Sequence, residues 1–396
     1  MKKLTTVIAA ALCVCLTACS AAEGFSGNEI LSDSVKRNRD SSVTYNYADG
    51  CREAPTAYNS FANTVTGFSL KLLRNAYDGK AISLAPASSA IQLGLLANGT
   101  NGDSRSEILL ALGGELDLDS YNTCCSYFKS RMESVGKTAS SGNKDKTESQ
   151  QRLKLGGALF INDKTDVRSA FLQTNANFYS DDVIRYDFSS GADKLKAYLG
   201  DSFTLSADNC IASCSELSFA DLWLNQSLSS EEFSMSSGNA KGIVKYTLNN
   251  PLKALFIMPD GDFDAYVKSF DSAEYSRLLD SIDVTERQAA VIPAFRTEAQ
   301  TNDLSDVLGK IGLYTLFTKD SDFRGMAYSE GLTLDRFCDI TPEVSVSNQG
   351  VATAKATDDA AASAKTDGAW IFDKPFIFML VDNETDIPIY ISTIEQ

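Results

Sequence analysis

The sequence predicts a mixed α+β fold, built as a single domain over residues 55–396, and three observations predict it. Residues 58–77 set Phe61, Val65, Phe68, Leu72 and Asn75 along one helical face, an apolar stripe made to be buried. Residues 343–350, E-V-S-V-S-N-Q-G, alternate as a half-buried strand does, and residues 370–381, W-I-F-D-K-P-F-I-F-M-L-V, form an apolar run that favours β structure. Between these runs lie eighteen residues, 351–368, V-A-T-A-K-A-T-D-D-A-A-A-S-A-K-T-D-G, with no large apolar side chain except Val351. Composition alone allows this tract to be an interdomain linker. Only 28 residues follow Gly368, however, too few for a core of their own, and they are rich in Ile, Phe and Val. They must pack back into the main body. The tract is then an exposed, protease-prone loop strung between two strands of one domain.

The chain opens with Lys2, Lys3 and an apolar run over residues 4–16, a secretory signal too short to span a bilayer. L-T-A-C at 16–19 has the form of a bacterial lipobox. Cleavage before Cys19 and lipidation of its thiol make residues 1–18 a signal peptide and 19–54, rich in Ser, Asn and Asp, a lipidated tether. The expected product is an extracytoplasmic, cell-surface lipoprotein whose only membrane contact is its anchor; the alternative is an ordinary signal peptide with an incidental Cys19. Loss of the two lysines takes the formal charge from −16 to −18, which disfavours nucleic acid, polyanions and anionic lipid surfaces as partners.

Histidine is absent, so Ser-His-Asp and Cys-His catalysis, His-ligated zinc and a His general base are all excluded. Among 52 carboxylates no spacing singles out a catalytic pair. Seven cysteines follow the signal: Cys19, Cys51, Cys124, Cys125, Cys210, Cys214 and Cys338. Cys210 and Cys214 could bind a metal with two further thiolates, but the others form no ribbon pattern; free thiols or one adventitious disulfide is the other reading, with no pairing assigned. No cofactor is expected.

Taken in order, Ser88 is placed to cap a helix running to about Ala97, Gly99 and Gly102 turn the chain, and Ser104-x-x-Glu107 has the form of a capping box. Residues 135–151 read as a polar surface loop. Structural elements are expected at residues 158–161, at Phe171 and Tyr179, and at 186–188. Residues 217–228, L-S-F-A-D-L-W-L-N-Q-S-L, read as a central strand of the main sheet, and A-L-F-I-M-P-D-G, 254–261, as another strand.

These stretches together resemble the serpin family. The small-residue tract looks like its reactive-centre loop, beginning at the hinge Gly350 and ending before F-D-K-P-F-I-F, 372–378. The block from Pro86 to Ile108 resembles the family's Pro-x-Ser helix and its G-x-x-G-x-[ST]-x-x-E-I ending, and V-I-P-A-F at 291–295, Glu298, I-G-L at 311–313 and D-F-x-G at 322–325 continue the likeness. Family loops place the scissile bond fourteen residues beyond the hinge Gly and ten before the Lys of K-P-F. From Gly350 and from Lys374 both counts give the bond between Ala364 and Lys365. Departures are Ala85 for Ser, Ala220 for Asn, Leu228 for Trp, Asn348 for Glu, and little sequence after Phe233 for the connecting strands.

The resemblance implies a fold with a large central sheet, smaller sheets, several helices and an exposed reactive-centre loop over about 350–369. It also implies a monomeric suicide-substrate inhibitor of serine proteases, not an enzyme. Ala364 suits an elastase-like protease; a trypsin-like one would cut after Lys365. The hinge and inserting segment would be Gly350, Val351, Ala352, Thr353, Ala354, Lys355 and Ala356. On insertion Val351, Thr353, Lys355, Thr357, Asp359 and Ala361 would face the buried side, and the charges of Lys355 and Asp359, about 13 Å apart, would slow it. Asn348 is expected to weaken the hinge. A serpin-like binding module without inhibitory activity, or a solute-binding lipoprotein, are the alternatives.

Overall fold

The computed structural model describes residues 29–37, 54–134, 153–189, 192–199, 210–248, 251–353 and 368–395. Cys19, the loop at 135–151, and Ala354, Lys355, Ala356, Ala364 and Lys365 lie outside these residues. The described helices are α1 (Tyr58–Ala76), α2 (Pro86–Gly99), α3 (Gly102–Ala111), α4 (Leu118–Ser134), α5 (Ser169–Thr174), α6 (Ala192–Leu199), α7 (Phe263–Ser269), α8 (Ser272–Asp280) and α9 (Ser305–Lys310). The strands are β1 (Glu29–Ile30), β2 (Ser83–Leu84), β3 (Lys154–Asn162), β4 (Asp182–Tyr186), β5 (Cys210–Ser218), β6 (Ala220–Leu222), β7 (Ser229–Ser236), β8 (Ala240–Tyr246), β9 (Leu252–Pro259), β10 (Gln288–Val291), β11 (Phe295–Thr297), β12 (Gln300–Asp303), β13 (Thr333–Thr341), β14 (Val344–Val346), β15 (Gly350–Ala352), β16 (Trp370–Ile371), β17 (Phe376–Asp382) and β18 (Pro388–Ile394).

The central sheet has the order β1-β4-β3-β5-β13-β12, with β5 and β13 parallel neighbours. At one end it continues as a four-stranded sheet, β11-β14-β15-β6. Because β6 follows β5 after Phe219, and β14 follows β13 after two residues, the two sheets are one sheet forked at that end. The eight-stranded sheet runs β16-β10-β7-β8-β9-β17-β18-β2. Every residue of α2 except Asn98 is buried, since the helix packs between the central sheet and β18. The stripe predicted for α1 is buried at Phe61, Val65, Phe68 and Leu72, while Asn75 turns back to the Lys71 carbonyl.

Four expectations are corrected. Ser88 does not cap α2, which starts two residues earlier with Pro86 in its first turn, where a missing N–H costs nothing; the Ser88 hydroxyl donates to the Glu216 carbonyl instead. Ser104 and Glu107 form no capping box. Their oxygens reach outward, Ser104 accepting the Asp322 N–H and Glu107 both the N–H and the hydroxyl of Thr315, so they tie two distant loops to α3. Residues 217–228 are not a central strand: only Leu217 and Ser218 end β5, and β6 belongs to the fork. The stretch after Phe233 is not short of strands, since β7 and β8 pair over it as an antiparallel hairpin.

Part of the span expected as a tether also packs on the body. Glu29 and Ile30 pair with Arg185 and Ile184 of edge strand β4, and Leu31 is buried. Glu29 meets Arg185 at 3.0 Å, Ser32 accepts the Val183 N–H, and Arg37 donates to Ser126. The added strand shields a sheet edge that would otherwise offer open backbone groups.

Candidate functional site: a sheet forked by the loop hinge

The hinge at the start of the long loop sits inside the fork. β15 is antiparallel to β14 on one side, with Val351 opposite Val346, and to β6 on the other, with Val351 opposite Asp221. A strand here needs backbone partners on both edges and a small residue at its mouth. Gly350 meets the second need, because a Cβ on it would stand 2.0 Å from the Asp221 carbonyl oxygen. Val351 meets the core at 1% exposure beside Val344 and Val346.

Thr353 closes the fork. Its N–H donates to the Phe219 carbonyl at 2.8 Å, and its hydroxyl exchanges hydrogen bonds with the N–H and C=O of Phe219 at 3.0 Å each. Beyond it β5 and β13 pair directly, first Glu216 with Ile340, then Ser215 with Asp339, then Cys214 with Cys338.

The turn before β15 is anchored rather than loose. Buried Trp223 donates its backbone N–H to Gln349 and its indole N–H to Ser347, both at 2.8 Å. Asn348, expected to weaken the hinge, accepts the Leu228 N–H at 2.9 Å and fastens it instead. The Lys245 ammonium lies 5.7 Å from the centre of the Trp223 ring and pairs with Glu232 at 2.6 Å; burial lowers its pKa, opposed by Glu232.

Asp339 lies under the seam. Its carboxylate accepts the Ser215 hydroxyl at 2.6 Å across the seam, the Ser89 hydroxyl of α2 at 3.1 Å, and the Ala85 N–H at 2.9 Å. Burial raises its pKa, and these donors partly counter it. Sequence reading passed over Asp339, Trp223 and Lys245. The partners of Asp339 and Trp223 lie more than a hundred residues away, and Lys245 meets Glu232 and Asn225 only once the chain has folded back on itself.

The reactive bond itself falls on residues outside the described set, so the geometry brings together Gly350, Val351, Ala352 and Thr353 of the expected inserting segment. Among the described residues no group of three or more Cys, Asp or Glu side chains is placed to hold a metal ion, and no helix is long and apolar enough to cross a membrane.

A central sheet forked by the hinge of a C-terminal loop defines a protein of the serpin class. The family model described as serpin (serine protease inhibitor) matches residues 63–198 and 229–396, and the chain belongs to that family. The unmatched stretch contains β5 and β6, where Ala220 and Leu228 depart from the family pattern. Alpha-1-antiproteinase F of Cavia porcellus is 19% identical over 381 residues, covering 87% of this chain and 91% of that protein. Serpin A9 of Mus musculus is 22% identical, covering 87% and 90%. The native state of the thermophilic serpin tengpin superposes with a TM-score of 0.70 at 19% identity, over 93% of this chain and 99% of its own. Human thyroxine-binding globulin, solved with thyroxine, gives 0.68 at 15%, over 85% and 98%.

Proposed function

We propose that this protein is a suicide-substrate inhibitor of serine proteases, held at a cell surface by a lipid on Cys19. The observation that carries the reading is the position of β15, already a strand between β6 and β14 with the direct β5–β13 seam ahead of it. The protease's serine attacks the carbonyl of Ala364, the bond to Lys365 breaks, and the freed loop extends β15 into the seam before the acyl-enzyme is hydrolysed. Each rung exchanges the seam's backbone hydrogen bonds for two new ladders, so the driving force is added strand pairing and burial.

Continued at the register it has with β6, the loop brings Lys355 opposite Leu217, Thr357 opposite Ser215 and Asp359 opposite Ser213. All three positions face α2, as Ser213, Ser215 and Leu217 do. The sequence alone offers Lys355 no partner, whereas Asp339 stands next to Ser215, a diagonal neighbour of about 7–8 Å on that face. Lys355 then enters beside a carboxylate. Asp359 gains no such partner and remains the costly residue.

Mixing with an elastase-like protease tests the reading. The expected result is an SDS-stable complex whose released peptide begins at Lys365; Thr366 at that terminus would indicate a trypsin-like cut. A cleaved loop without complex would favour the non-inhibitory reading. Cys19→Ser is expected to move the protein from the membrane fraction to the soluble one.

A further inference from the structure

We propose that Cys214 and Cys338 form a redox lock across the central seam: as a disulfide they hold β5 to β13 and bar the loop, and as thiols they let it enter. The proposal rests on the insertion reading above. The two residues are register partners on neighbouring parallel strands, so their side chains leave the same face. Neighbouring strands lie about 4.7–4.9 Å apart, inside the roughly 4.4–6.8 Å Cα window of a disulfide, so closure needs little backbone movement. Both are free and buried, together with Phe160 and Leu195 in the small core between the sheet and α6. The Cys214 thiol donates to the Ala158 carbonyl at 3.5 Å.

Their position gives the link its consequence. Counting from the fork at Phe219, the cysteines make the third rung of the seam, after Glu216 with Ile340 and Ser215 with Asp339. An entering strand can replace backbone hydrogen bonds rung by rung, but it cannot replace an S–S bond. Insertion would stop there, short of the reactive bond, and the acyl-enzyme would hydrolyse.

Formation consumes a disulfide oxidant such as oxidised glutathione. Each cysteine gives up its hydrogen, the Sγ–Sγ bond forms, and the oxidant is reduced to two thiols. Burial pushes Cys214 up to about 12 and Cys338 higher still, which keeps both protonated and slow to exchange while the seam is shut. The bond therefore forms in chains whose seam has parted or has not yet closed.

The test refolds the full chain with reduced or with oxidised glutathione and digests part of each without reduction. Mass spectrometry is expected to find the peptides of Cys214 and Cys338 joined, two hydrogens lighter, in the oxidised sample only. That sample is expected to be cleaved by protease without SDS-stable complex or gain in unfolding temperature, both restored by dithiothreitol. Cys338→Ala, or Cys214→Ala should the first misfold, is expected to trap protease under either condition. Absence of the joined peptide, or a joined form that still traps protease, overturns the lock alone. A reduced wild type that neither traps protease nor gains stability on cleavage overturns the insertion reading and the lock with it.

Discussion

Val351 is the first loop side chain to reach the core, and burying a valine there contributes about 1.5–3 kcal/mol. An arginine at that position would force a much larger side chain into the closed space that Val351 fills between Val346 and Asp221. Val351→Arg is therefore expected to abolish SDS-stable complex while the loop is still cleaved, as gel analysis with an elastase-like protease would report. Under the proposed insertion, Lys355 and Asp359 are expected to act in opposite directions. Lys355→Ala leaves Asp339 without its incoming counter-charge and should lower the fraction of molecules ending as complex; Asp359→Ala removes an unpaired buried carboxylate and should raise it. Gly350 and Val351 were legible in the sequence because a hinge Gly before a small-residue tract is a local pattern. Asp339 was not. Its hydrogen-bond partners Ala85, Ser89 and Ser215 lie more than a hundred residues away, so nothing near it in the chain marks it.

Elements were legible where one face alone decides them, as in α1, and illegible where a long-range partner decides. The apolar letters of residues 217–228 suggest one strand, yet Phe219 marks the point where β5 gives way to β6 and the partner changes from β13 to β15. The 370–381 run divides for the same reason: β16 joins β10 and β17 joins β9 and β18. Residues 29–37 carry too short a pattern to announce β1, which exists because β4 offers an edge. Removing residues 1–37 should expose that edge and unseat Leu31, for a loss of roughly 1.5–3 kcal/mol in urea denaturation. Asn348→Ala should cost about 1 kcal/mol on the same measurement by stranding the Leu228 N–H, and should loosen the hinge turn.

Over the whole molecule, the central sheet is the scaffold and, under the proposed mechanism, also the moving part, and its buried carboxylates tie its stability to pH. Burial, opposed by Lys154 and reinforced by Asp182 and Asp181, raises Glu216 on β5 from an ordinary 4.5 to about 7. A carboxyl with a raised folded pKa gives stability that is present below its unfolded pKa and lost as pH rises through the folded one. Glu216 should thus remove about 2–3 kcal/mol between pH 5 and pH 8, and Glu216→Gln should flatten that part of the urea-denaturation profile. The central claim is that the seam between β5 and β13 opens to take in the loop that β15 begins. Its most direct measurement is the unfolding temperature of the reduced protein before and after one cut within residues 354–367. Insertion predicts a higher midpoint for the cleaved chain and slower amide exchange along residues 213–216 and 337–340. An unchanged midpoint with unchanged exchange would mean that the fork holds the hinge without admitting the loop, and would contradict the account.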